Sequence, residues 1–195
     1  MRWLRKVYDW VLHWAETPYA VPALILLAIA ESSFFPIPVD VLLIAMAISI
    51  PKRAFHYALY TSLSSVIGGV GGYIVGFYFM HFIGNTIIDF YGYEQQYNTL
   101  AHTFQEHNFL AILVAALTPI PYKVFTITAG ATNAGFVEFI LASILGRTAR
   151  FFAISSLIFF FGKRIKGFID RYFNLLSIIF TILLVGGFIL IKYLF

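Results

Sequence analysis

The sequence predicts an all-α polytopic membrane protein: an inverted repeat of two re-entrant helical hairpins plus spanning helices, preceded by an N-terminal interfacial amphipathic helix. Three observations predict it. The chain is 61% hydrophobic and only 11% charged, against about 25% charged in ordinary soluble domains, and its mean hydropathy is +0.86. Two apolar segments are each interrupted by Pro-Ile-Pro, at 36–38 and 119–121. Those two segments also align with one another. The 195 residues leave no room for a separate globular domain, and 19% aromatics suit lipid-facing surfaces and interfacial belts.

The formal net charge of +4 and pI near 9.3 do not indicate nucleic acid, because the basic residues sit at the ends of apolar runs, where topology signals belong. With no cysteine, disulfides, thiolate nucleophiles and cysteine metal sites are excluded.

Residues 1–17 place Trp3, Val7, Trp10, Val11 and Trp14 at helical spacing, with Arg2, Arg5, Lys6, Asp9 and His13 largely elsewhere on the circumference, which predicts a helix lying on the membrane. Residues 20–50 have the apolarity of a span, but Pro36 and Pro38 remove backbone donors and push the preceding residues toward extended geometry. Each flanking piece is shorter than the roughly 20 residues needed to cross. Two half-helices around a broken tip result, and such backbone survives at membrane depth only where protein or water surrounds it. Residues 56–80 form an uninterrupted span, with Gly68, Gly72 and Gly76 at four-residue intervals for close helix approach. Residues 81–108 are polar and acidic, with no Lys or Arg, and read as an amphipathic connector at the interface. His102, Glu106 and His107 invite a metal, but the two histidines fall on poorly matched helix faces and read as surface residues. Residues 109–132 form the second hairpin, broken at Pro119 and Pro121 with Tyr122 following; 138–161 and 174–194 are spans.

Laying 34–45 over 117–128 matches Pro36 with Pro119, Ile37 with Ile120, Pro38 with Pro121, Val41 with Val124 and Ile44 with Ile127, an offset of 83. Further on an offset of 78 matches Leu63 with Leu141, Ser65 with Ser143, Gly68 with Gly146 and Gly84 with Gly162. Arg2, Arg5, Lys6, Lys52, Arg53 and the basic segment 163–171 should share the cytoplasmic side, so 20–50 enters and leaves by one face. One crossing separates the hairpins, so they enter from opposite faces and their tips meet near the midplane.

Glu31 with Pro36 and Pro38, the second tip TPIPYK (118–123) with Gly130, and GRTAR (146–150) carry a resemblance to the DedA family, also called the SNARE-associated or VTT-domain family, and most to its YqaA-type branch. The resemblance covers about residues 20–165, and Asp40 stands where some members carry an acid after the first proline pair. It implies lipid translocation by flipping or scrambling in the bacterial inner membrane, with undecaprenyl phosphate and phosphatidylethanolamine as substrates of some members and proton coupling.

Glu31, Asp40, Lys123, Arg147 and Arg150 lie inside apolar segments, each costing about 2.5–3.5 kcal/mol if central, so they must face a cavity or one another. Asp40 aligns with Lys123 across the repeat, and tips that meet would bring these charges close. Arg147 and Arg150 share a helix face about 14–18 Å along the helix from Glu138. Two acids against three bases leave one positive charge, and guanidinium forks match phosphate. The expected roles are phosphate binding for Arg147, Arg150 and Lys123, proton coupling for Glu31 and Asp40, and hairpin tips for Pro36, Pro38, Pro119, Pro121 and Tyr122. Pairing of both arginines with Glu31 and hairpin carbonyls is the purely structural alternative.

An enzyme is disfavoured: all five histidines lie at or outside the membrane edges, and Gly-x-Ser-x-Gly and HExxH are both missing. The reading is therefore a membrane lipid transporter without cofactor or metal, its partners lipids with phosphate headgroups and protons, its N-terminus cytoplasmic. The alternatives are a proton-coupled transporter of a small solute or ion, and a scaffold or insertion factor that transports nothing.

Overall fold

Each helix ends where the sequence removes a backbone donor or supplies a left-handed residue. The computed structural model describes residues 19–33, 39–118 and 120–162. The N-terminal amphipathic helix, the tip residues Pro36, Pro38 and Pro119, and the last span at 174–194 lie outside the described residues. Among those described, every regular element is helical. Helix α1 (Ala20–Ser33) carries Pro22 in its first turn, where a missing donor costs nothing. Helix α2 (Val39–Ser49) opens with Asp40 in its first turn, a favourable place for an acid against the helix dipole. Ile50, held extended before Pro51, leads into a 3₁₀ turn at Pro51–Arg53 and then α3 (Ala54–Phe79).

Nothing stops α3 at residue 80. A π-helical turn (Met80–Gly84) carries it into α4 (Asn85–Tyr91), and the whole run from Pro51 to Tyr91 is 41 residues long. Gly92, at φ +67°, ends it: its amide bonds the Asp89 carbonyl while that of Tyr93 bonds Ile88. Helix α5 (Glu94–Leu117) continues through residue 108, where the connector was expected to give way to the second hairpin, because this stretch contains neither proline nor glycine. After the break at 118–121 come α6 (Tyr122–Ala131) and α7 (Phe136–Phe161). Two helical runs, Pro51–Tyr91 and Phe136–Phe161, are long and apolar enough to cross a membrane.

Helices α3 and α7 lie antiparallel, with Ala54 grouped with Ile158 at one end and the Tyr73 ring against Phe136 and Phe139 at the other. Helix α1 runs parallel to α3, reaching Gly68 with Ile29 and Gly71 with Ser33. Helix α2 runs parallel to α7, from Asp40 at Arg150 to Ala47 at Ile158, so α1 and α2 run in opposite senses. Helix α5 follows α7, from Asn108 at Gly135 to Ala116 at Gly146, while α6 follows α3, from Tyr122 at Gly69 to Gly130 at Phe77. Besides touching each other, α3 packs on α1 and α6, and α7 packs on α5 and α2, with α2 also lying against α3. Each long helix thus takes the first arm of one pair and the second arm of the other.

Glycine permits these approaches. A Cβ at Gly68 would strike the backbone of Ile29 and the Ser32 side chain; one at Gly146 would strike Ala116 and crowd the Leu113 carbonyl at 3.2 Å. The glycines are 78 residues apart and their partners 84 apart in both cases.

The elbow joining α6 to α7 is tied by side chains. Tyr97 donates to the Ala131 carbonyl at 2.7 Å, Gln105 to Thr132 at 2.5 Å, Tyr73 to Ala134 at 2.7 Å and Asn108 to Gly135 at 2.9 Å. Asn133 turns the chain at φ +51°. Tyr73→Phe keeps the ring contacts and strips the buried Ala134 carbonyl of this donor, and should cost about 1–3 kcal/mol. The measurement is the thermal midpoint of the detergent-solubilised protein, and an unchanged midpoint would show that the elbow does not depend on this bond.

Candidate functional site: two arginine–carboxylate pairs at the hairpin breaks

The centre of the bundle holds one buried arginine and, a turn along the same helix, a second that is partly exposed. Arg147, on the buried face of α7 with Ser143, Phe151 and Ser155, is 2% exposed. Its Nη2 donates to Glu31 Oε2 and to Ser32 Oγ, each at 3.2 Å, both on the last turn of α1. Its guanidinium lies 4.2 Å from the centroid of the Tyr122 ring and 5.5 Å from that of Phe151, a cation–π sandwich that replaces part of the lost hydration. Its Nε is buried with no partner among the described residues.

Serines place this cation. Ser32 and Ser65 share a hydrogen bond of 2.7 Å between α1 and α3. Tyr122 donates to Ser143 Oγ at 2.7 Å, and Ser143 donates to the Phe139 carbonyl at 2.6 Å, so the ring lies where the guanidinium can stack on it. Gly69 leaves room for that ring, since a Cβ there would reach its carbons at 3.1 Å. Ser65 and Ser143 are the pair matched at an offset of 78, and each holds one hairpin arm beside the break. That alignment was the available signal for them; their hydroxyl partners were not legible.

Arg150, one turn on, is 16% exposed and Asp40 25%. Its Nη2 donates to Asp40 Oδ2 and its Nη1 to the Thr118 carbonyl. Asp40 follows the first break and Thr118 precedes the second, so one guanidinium joins the flanks of both. Asp40 Oδ1 is buried without a partner among the described residues. The structure therefore gives the Asp40 carboxylate to Arg150, an assignment that the repeat alignment with Lys123 does not make. Lys123 is half-buried in the first turn of α6, and Pro121 caps that helix in extended geometry.

Away from this centre, the α5 histidines turn to separate partners: His102 lies 3.6 Å from Glu106, and His107 contacts the Thr103 carbonyl at 3.0 Å.

Residues 37–160 match the VTT domain model. An uncharacterized protein of Haemophilus influenzae is 33% identical over 98% of this chain and the whole of that relative. An uncharacterized protein of Histophilus somni is 35% identical over 84% of this chain and 85% of its own length. No solved structure matches. With two helical runs of spanning length and a family model covering well over half of it, the chain belongs to the VTT-domain family, the DedA or SNARE-associated group, and is an integral membrane protein.

Proposed function

We propose that this protein moves phosphate-bearing lipids across the bilayer, with Arg150 receiving the headgroup and Glu31 and Asp40 carrying protons. The observation that carries the reading is the Arg150 contact set. A guanidinium that joins the flanks of both helix breaks, and is still partly exposed, is where an arriving phosphate can exchange for a carboxylate and a carbonyl. Phosphate takes the planar fork in two places at once, which ammonium cannot match. Arg147, sealed beneath it, holds Glu31, and Lys123, in the first turn of α6, is the third base this reading assigns to the headgroup.

The crosswise packing of α3 and α7 on arms of opposite pairs supports inverted re-entrant hairpins. Membership in the VTT-domain family supports a transporter-like role. Translocation of a fluorescent phosphatidylethanolamine in proteoliposomes tests the reading. Arg150→Lys should slow flux about tenfold, the weight of roughly 1.4 kcal/mol for one charge-assisted hydrogen bond. Glu31→Gln should flatten the pH dependence of flux. Wild-type lipid flux in Arg150→Ala, at matched protein amount and orientation, ends the lipid reading. Solute-dependent proton uptake without lipid flux would instead mark a small-solute carrier, and neither activity would mark a scaffold.

A further inference from the structure

The second arms of the two helix pairs, α2 and α6, are held in different ways. Helix α6 is locked by backbone contact and neutral hydrogen bonds. A Cβ at Gly76 would strike the Ile127 carbonyl, and one at Gly130 the Tyr73 carbonyl, so α3 and α6 touch main chain to main chain. Tyr122 ties its first turn to Ser143, and the elbow that follows takes side-chain donors at Ala131, Thr132, Ala134 and Gly135.

Among the described residues, α2 has none of this. Leu42, Leu43 and Met46 pack with Leu24, Tyr57 and Phe151, and Ala47 with Ile158, contacts that are apolar throughout. The glycine approach on this side of the bundle, Gly68 at Ile29, belongs to α1. Among the described residues no side chain donates to the carbonyls of 49–53. The polar side-chain tie of α2 to the described bundle is Asp40 to Arg150. In a bilayer this difference decides mobility: acyl chains are as apolar as leucine, so separating α2 from its apolar neighbours costs little when lipid fills the space. Breaking the main-chain contacts and elbow bonds of α6 would leave carbonyls without partners in a medium that offers none.

We infer that α2 is the moving arm of this protein, that α6 is its fixed counterpart, and that Asp40–Arg150 is the latch holding α2 on α7. This goes beyond the transport reading, since the motion is measured as a distance and stands or falls apart from lipid flux.

The chain has no cysteine, so nitroxide pairs can be placed without background. Ser49 with Leu145 reports α2 against α7, and Val124 with Leu157 reports α6 against α7; all four positions are exposed. Pulsed dipolar EPR is recorded in vesicles of phosphatidylethanolamine and phosphatidylglycerol. In Arg150→Gln the Ser49–Leu145 distribution should shift or widen by about 5 Å or more, one helical turn, while Val124–Leu157 stays at its wild-type distance. Asp40→Arg combined with Arg150→Asp should restore the wild-type distribution. If Arg150→Gln does not fold, the nearly isosteric Asp40→Asn is read in the same way. An unmoved Ser49–Leu145 distance, equal movement of both pairs, or failure of the reversed pair to restore the first would each overturn the inference.

Discussion

Gly130→Val should yield no folded, monodisperse protein. A Cβ at Gly130 would lie inside the Tyr73 carbonyl and within 2.9 Å of the Phe77 amide nitrogen, while Gly76 meets the Ile127 carbonyl on the reciprocal side. The obstacles are main-chain atoms of two helices, so no rotamer change relieves the overlap. Overpacking usually costs about 1–3 kcal/mol when side chains can yield; here the helices themselves must separate, which breaks the tyrosine and elbow bonds as well. Gly71→Ala is the control, because among the described residues its Cβ meets only the Ser33 hydroxyl, at 3.3 Å, and its midpoint should stay near wild type. Size-exclusion profiles and melting curves of both variants decide it. A Gly130→Val protein that elutes and melts like the wild type would mean that α3 and α6 do not pack this closely.

Arg147→Ala should be the most damaging single change among the charged residues. It leaves the Glu31 carboxylate, 24% exposed, with Ser32 as its remaining donor among the described residues and opens a hollow between Tyr122 and Phe151. Removing one partner of a buried pair costs about 3–5 kcal/mol, whereas replacing both with uncharged groups of similar volume is often close to neutral. Arg147→Met together with Glu31→Gln should therefore recover most of the stability that Arg147→Ala loses. On the proposed transport reading, flux in the double variant should lose its pH dependence, as in Glu31→Gln, because the carboxylate that carries the proton is gone with its arginine. Equal melting of Arg147→Ala and wild type would show that the pair contributes nothing to folding.

The breaks after Ser33 and before Tyr122 were legible because proline acts locally: a Pro-x-Pro pair removes donors and disfavours helix in the residue before it, whatever surrounds it. The glycine stripe on α3 was legible for the same reason, and so was an inward-facing Arg147, since no lipid-facing position would tolerate it; the reading placed it at a lipid phosphate and did not foresee its enclosure by Glu31, Ser32, Tyr122 and Phe151. The ends of α3 and α5 were not. The sequence changes polarity near residues 80 and 108, but polarity reports which solvent a helix meets, not whether its hydrogen-bond ladder continues. The chain carries on to Gly92 in one case and to the proline break in the other. The pairing of charges was hidden for another reason. Spacing assigns a residue to a helix face, while the partner depends on which helices cross there. Asp40 and Lys123 align when 34–45 is laid over 117–128, yet α2 lies on α7, and α7 carries Arg150 at that level. The position 78 residues before Arg150 is Gly72, so the two halves differ in charge as well as in fold detail.

The uninterrupted run from Pro51 to Tyr91 also bears on the membrane itself. Forty-one residues make a rod of about 61 Å, roughly twice the thickness of the hydrocarbon core. Its outward side remains oily well past the length of a normal crossing, with Phe79, Phe82, Ile83, Ile87 and Phe90 all exposed. Such a rod is longer than a perpendicular crossing: it leans, bends at the π-helical turn, or carries its polar ends, Lys52 and Arg53 at one and Asp89 at the other, beyond the hydrocarbon. A bilayer of different thickness should therefore change the tilt of this rod.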